Sequence, residues 1–257
     1  MPVVRDIFAW LDAFAPLATQ MDFDNSGLLT GDASAPVTRV LLALDVTAAV
    51  VEAAARQGAE LIVAHHPVIF HARKQLLAGD PAYALARRGV ACIAWHTPLD
   101  AAPGGVNDVL AATLGLQGVA LLPAAGCPVP CARIGTVEPQ SAAELARRVA
   151  ALLGAAVRYC DAGRTITRVA VCGGAGAFLL PELHTAQVDA YITGDADHHD
   201  FLDARQAGVS LLAAGHYETE IPVIPALAER LRAAFPALVI TVAEEQSPCP
   251  TQTTPAP

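Results

Sequence analysis

The stretch LIVAHHPVIF, residues 61–70, decides how the chain is read. Four apolar residues lead straight into His65 and His66, and Pro67 ends the pattern. A short unbroken apolar run of this kind reads as a strand buried on both faces, as in a parallel sheet. Imidazoles are costly to bury without partners, so two of them at a strand end need a reason.

Outward from this point, apolar runs alternate with helix-like stretches, which predicts α/β architecture with a mainly parallel sheet. VTRVLLALDVT (37–47) reads as a strand and AAVVEAAARQG (48–58) as the following helix, closed by Gly58. DPAYALARRG (80–89) reads as a helix with Asp80 as N-cap and Pro81 at its first position. VACIAWH (90–96) is a third strand and NDVLAATLG (107–115) a helix. Residues 117–131, rich in Gly and Pro, read as a connection.

The alternation then resumes. SAAELARRVAALLG (141–154) carries a capping box, Ser141 with Glu144. RVAVCGGAG (168–176), VDAYITGD (188–195), VSLLAAGH (209–216) and ALVITVAE (237–244) read as strands, and PALAERLRAAF (225–235) as a helix. The expected organisation is an α/β domain over 1–122, a second over 123–245, and a disordered tail over 246–257.

Composition narrows the function. The 257 residues are 54% hydrophobic and 16% charged, with a net charge of −9 and a pI near 5.3. Such an acidic chain is a poor phosphate neutraliser, so neither nucleic acid nor an anionic membrane is an expected partner. The N-terminal stretch MPVVRDIFAWLDAFAPLATQ puts charges inside an apolar period, so it reads as an amphipathic helix and not a signal, with the cytoplasm as expected compartment. None of the six cysteines forms a CxxC pair; Cys127 and Cys131 flank only PVP, and reduced thiols are the expectation.

The chemistry gathers at strand ends. LIVA ends in His65 and His66; VACIAW ends in His96, with Asp100 beyond; SLLAA ends in Gly215 and His216, with Glu220 beyond. YIT ends in Gly194 and Asp195, followed by His198, His199 and Asp200. Ligands of open parallel sheets bind beyond the carboxyl ends of strands, so these side chains are candidates to converge. Imidazole and carboxylate without thiolate suit zinc, iron or manganese. Neighbours in a strand face opposite ways, so His65 and His66 are expected to serve two adjacent cations, with Glu220 or Asp100 bridging. Gly173, Gly174 and Gly176 would let a phosphate approach the backbone, and a tight turn explains them equally well. Asp24, Asn25 and Gly27 are expected to shape the rim, His71 to be solvated, and His184 to lie on a helix surface.

The segments AHHPVIF, HTPLDAAPGGVND, YITGDADHHD and AGHYETE, in this order, resemble the GTP cyclohydrolase 1 type 2 homologue (NIF-three-like) family, as does MDFDNSGLLTGD near the N-terminus. The resemblance spans roughly residues 5 to 243. It implies two α/β domains of the NIF-three-like fold with a dinuclear metal site in the cleft between them, and ring-shaped homohexamers. It carries over His65, His66, Asp100, His216 and Glu220 as ligands of two divalent metal ions, with Glu220 bridging. His96 is then either a group that supports the ligands or a proton carrier, and His96, His198 and His199 are the candidate catalytic residues. Pro98 stands where the family commonly has Asn, and Met21-Asp22-Phe23 where a Trp-Asp pair is usual. The implied activity is metal-dependent hydrolysis of a small-molecule substrate, such as a nucleotide; the family's name points to opening of the GTP imidazole ring with loss of formate. The other reading is a protein that binds or delivers metal without turnover.

Overall fold

The computed structural model describes residues 1–123 and 127–249, apart from the side chain of His184. In chain order, the first stretch holds α1 (Val4–Phe14), β1 (Gly27–Thr30), β2 (Arg39–Ala43), α2 (Ala48–Gln57), β3 (Leu61–Ala64), α3 (Pro81–Arg88), β4 (Ala91–Ala94) and α4 (Thr97–Ala101). Next come α5 (Val106–Thr113), β5 (Gln117–Leu122), β6 (Ala132–Gln140), α6 (Ala142–Leu153), β7 (Arg158–Tyr159) and β8 (Ile166–Cys172). Then follow α7 (Leu180–Ala186), β9 (Ala190–Thr193), α8 (His198–Gln206), β10 (Ser210–Ala213) and α9 (His216–Glu220). The chain closes with α10 (Val223–Ala234) and β11 (Val239–Val242).

Two compact units result: Met1–Gly105 with Val223–Glu245, and a second built on Val106–Pro222. The first contains a five-stranded sheet ordered β1-β4-β3-β2-β11, parallel except for β1. Every residue of β3 and β4 is buried, as a parallel sheet covered on both faces requires. Leu41, Ile62, Val50, Leu85 and Cys92 share one core cluster there. Each large aliphatic side chain so removed from water contributes roughly 1.5–3 kcal/mol. The second unit has a six-stranded mixed sheet ordered β5-β6-β8-β9-β10-β7, in which only the β8-β9 and β9-β10 pairs are parallel. Its core joins Leu110, Leu145, Val149, Val171, Ile192 and Leu212.

Local signals behave as their chemistry dictates. Thr47 Oγ1 accepts from Val50 N, and Gly58 closes α2 at φ 66°. Asp80 caps α3 and Gly89 ends it at φ 65°. Ser141 N donates to Glu144 Oε2 at 2.8 Å while Glu144 N donates to Ser141 Oγ at 3.3 Å, completing the capping box.

The expected boundary at 122/123 is corrected on both sides. β5 pairs antiparallel with β6, so Gln117–Leu122 is a strand of the second unit and not a connection. β11 pairs in parallel with β2, Val239 opposite Arg39, so the last strand belongs to the first sheet. The predominantly parallel sheet holds for the first unit only. Of the expected tail, residues 250–257 lie outside the described residues, as does Gly126 of the expected connection. Among the described residues no helix is long and apolar enough to cross a membrane.

Candidate metal centre

β3 ends at Ala64, and the backbone amides of His65 and His66 continue the sheet by donating to Ala43 O and Leu44 O at 3.1 and 2.9 Å. Beyond the strand the pleat no longer alternates. The two rings turn toward each other, with centroids 4.8 Å apart, and the His96 ring from the end of β4 stands 5.2 and 5.5 Å from them. His65, His66 and His96 can each offer one ring nitrogen, all within 4.8 Å of one another. The alternation that turns strand neighbours to opposite faces does not apply to this pair, because both lie past the last strand residue.

Acceptors fix which nitrogen each ring presents. His65 Nδ1 faces Trp95 O at 3.1 Å, His66 Nδ1 faces Asp45 Oδ1 at 2.8 Å, and His96 Nδ1 faces Asp24 Oδ1 at 2.9 Å. A ring nitrogen facing an acceptor carries the proton, which leaves Nε2 as the lone-pair atom. Trp95 is itself fully buried, its Nε1 donating to Ala15 O at 2.7 Å and its ring meeting Phe8 edge-on. Asp100, on α4, places Oδ1 3.6 Å from His65 Nε2. Pro98 sits in the first turn of α4, where a missing N–H costs nothing, so the departure from the family's usual Asn suits the helix start.

Asp24 is more than rim. Its carboxylate accepts from His96, from Ser26 Oγ at 2.8 Å, and from Thr97 Oγ1 and N at 2.6 and 3.1 Å. Burial alone would raise this carboxyl, but the hydrogen bonds from His96, Thr97 and Ser26 outweigh it and hold it well below the usual carboxylate range. Asn25 Nδ2 donates to Ile69 O at 2.6 Å, bracing the loop that follows the histidine pair. Asp24→Ala is expected to destabilise the protein by about 3 kcal/mol, since several donors lose a charged acceptor at once. A urea midpoint within error of the wild-type value would contradict this role.

The second unit builds its own set. Gly215, at φ 89°, turns the chain from β10 into α9, so that His216 and Glu220 fall one turn apart with Nε2 and Oε2 at 3.2 Å. His216 Nδ1 faces Asp195 Oδ2, beyond β9, at 2.7 Å. Glu220 is only 3% exposed. The Gly173–Gly176 turn supports this pair, and its three glycine amides are not turned toward a phosphate. Gly173 N donates to Asn107 Oδ1, Gly174 N to Thr219 Oγ1 and Gly176 N to Thr193 Oγ1, so its amides are already engaged.

Sequence reasoning found the histidines but missed Asp24 and Asp45 as the carboxylates that orient them. Asp45 had the same signal as His65: a polar side chain at the end of an apolar run. His198 and His199 lie exposed on the first turn of α8 and belong to no metal-capable group among the described residues. His71 is exposed, as expected; the His184 side chain lies outside the described residues.

Parallel strands whose carboxyl ends carry oriented imidazoles and buried carboxylates define a candidate metal-binding α/β protein. Residues 2–250 match the Duf34/NIF3 family (NGG1p interacting factor 3), and the chain belongs to that family. A Clostridium acetobutylicum relative named GTP cyclohydrolase 1 type 2 homolog is 30% identical over 242 residues, covering 90% of each chain. A Nostoc relative of the same name is 34% identical over 245 residues, covering 89% of this chain and 91% of its own. The crystal structure of a Staphylococcus aureus hypothetical protein superposes with a TM-score of 0.90 at 26% identity, covering 97% of this chain and 99% of that one.

Proposed function

We propose that the chain binds two divalent cations (zinc, iron or manganese) through His65, His66, Asp100, His216 and Glu220, Glu220 bridging, and hydrolyses a nucleotide or another phosphorylated small molecule. The observation that carries this reading is that His65 and His66 offer ring nitrogens within 4.8 Å of each other, each with Nδ1 held by an acceptor, with His96 beside them and its own Nδ1 held by Asp24. The donor set fits borderline divalent ions: imidazoles oriented by carboxylates or a carbonyl, carboxylates nearby, and no thiolate. When bound, such ions supply Lewis acidity and a water nucleophile at neutral pH. His96, fixed by Asp24, is assigned proton transfer, with His198 and His199 as the exposed alternatives on α8. Relatives named GTP cyclohydrolase 1 type 2 homolog favour a nucleotide as substrate. A ring-shaped homohexamer, cytoplasmic location, and indifference to nucleic acid and membranes complete the proposal.

The test is elemental analysis of chelator-stripped protein reloaded with zinc, iron(II) or manganese in turn, coupled to a screen of nucleotides and phosphoesters. Two ions per chain with turnover are expected. Less than one ion per chain with all three metals sinks the proposal. Full loading without turnover selects metal binding or delivery instead, a reading that open, exchangeable imidazole sites also suit.

A further inference from the structure

The thiols of Cys127 and Cys131 lie 3.3 Å apart in the second unit, about 1.3 Å from the bonding distance of about 2.05 Å. The three residues between them are Pro128, Val129 and Pro130, so two of the three have φ preset by a ring. Bringing the ends together therefore costs less chain entropy than in a flexible loop. Cys127 is half-buried and reachable, whereas Cys131, immediately before β6, is 5% exposed. That is the arrangement of an attacking thiol backed by a resolving one.

We propose that Cys127 and Cys131 form a reversible disulfide by exchange with a low-molecular-weight disulfide, making the start of β6 a redox-sensitive closure. Cys127 gives its proton to solvent and its sulfur attacks one sulfur of the small disulfide, which releases one thiolate that takes up a proton. Cys131 then gives up its proton and attacks Cys127 Sγ in the mixed disulfide, and the second small thiol leaves. Two protein S–H bonds become one S–S bond, and two electrons reduce the small disulfide to two thiols. Burial first, then the hydrogen bond and charge of Cys131 and the Glu182 carboxylate, push the Cys127 thiol up to about 12. At neutral pH exchange is accordingly slow, and the pair is brought to equilibrium rather than read from an initial rate.

A third thiol supplies the control. Burial first, and after it the Cys172 and Cys131 sulfurs, push the Tyr191 hydroxyl up, so Cys172 is the other thiol that the mapping must distinguish. The full chain is equilibrated with glutathione disulfide and glutathione in increasing ratio, quenched with acid, alkylated, and read by intact mass and peptide mapping. The expected result is a fall from six alkylatable thiols to four and loss of the mass of two hydrogens, mapped to Cys127–Cys131 and restored by excess glutathione. Cys127→Ser abolishes this change, whereas Cys249→Ser leaves it intact; Cys131→Ala repeats the first result if Cys127→Ser does not fold. A bond between Cys131 and Cys172, a stable glutathione adduct on Cys127, or both thiols still alkylatable at the most oxidising ratio would overturn the proposal.

Discussion

Glu220→Gln is expected to cut the metal retained by the zinc-reloaded protein by at least half and to lower any hydrolytic turnover by more than about 100-fold. Removing a partner that merely orients a ligand costs roughly 10- to 100-fold, so loss of a ligand should exceed that. The substitution keeps shape and hydrogen-bonding capacity while removing one negative charge from a side chain that is 3% exposed and 3.2 Å from His216 Nε2. Because Gln is isosteric and neutral, the urea midpoint should move little. Glu229→Gln, on the exposed face of α10, changes the same net charge and should leave metal content alone. Wild-type stoichiometry in Glu220→Gln would remove Glu220 from the ligand set.

The second large effect comes from a residue without a side chain. Gly174 has φ 62°, and a Cβ there would run into the Glu220 carboxylate and approach His216 Nε2 to 3.2 Å. Gly58 has nearly the same φ, 66°, with nothing within 4 Å of the corresponding Cβ. Gly58→Ala should therefore cost only the left-handed backbone penalty, about 1–2 kcal/mol. Gly174→Ala should add overpacking to that penalty, for a total of roughly 2–5 kcal/mol, and should displace Glu220 and lose metal although no ligand is replaced. Denaturant midpoints and metal content of the two variants decide it. Equal stability losses with full metal content in Gly174→Ala would show that the turn does not position the site.

Much of this was legible before any coordinates. Helix ends were written in Asp80, Gly58, Gly89 and the Ser141–Glu144 pair, because caps act over three or four residues. The buried strands of the first unit were plain as short apolar runs. Two long antiparallel partners were not: β5 sits in a stretch whose glycines and prolines read as loop, and β6, with Arg133, Glu138 and Pro139 in it, carries no clear period-2 pattern. Their pairing with each other and with β8 overrides weak local propensity. The unit boundary was hidden for a similar reason, since the β2–β11 pairing joins opposite ends of the chain.

The sequence by itself determined the element types, the donor chemistry of imidazole and carboxylate, and the family, all properties of residue identity and short-range spacing. The tertiary structure alone decided that His65 and His66 converge once past the strand, that the Trp95 carbonyl, Asp45, Asp24 and Asp195 choose the nitrogen that His65, His66, His96 and His216 present, and that the glycine turn braces Glu220. Those outcomes rest on hydrogen bonds and close packing between residues far apart in the chain, such as Asp24 with His96, and no local pattern encodes where such partners meet.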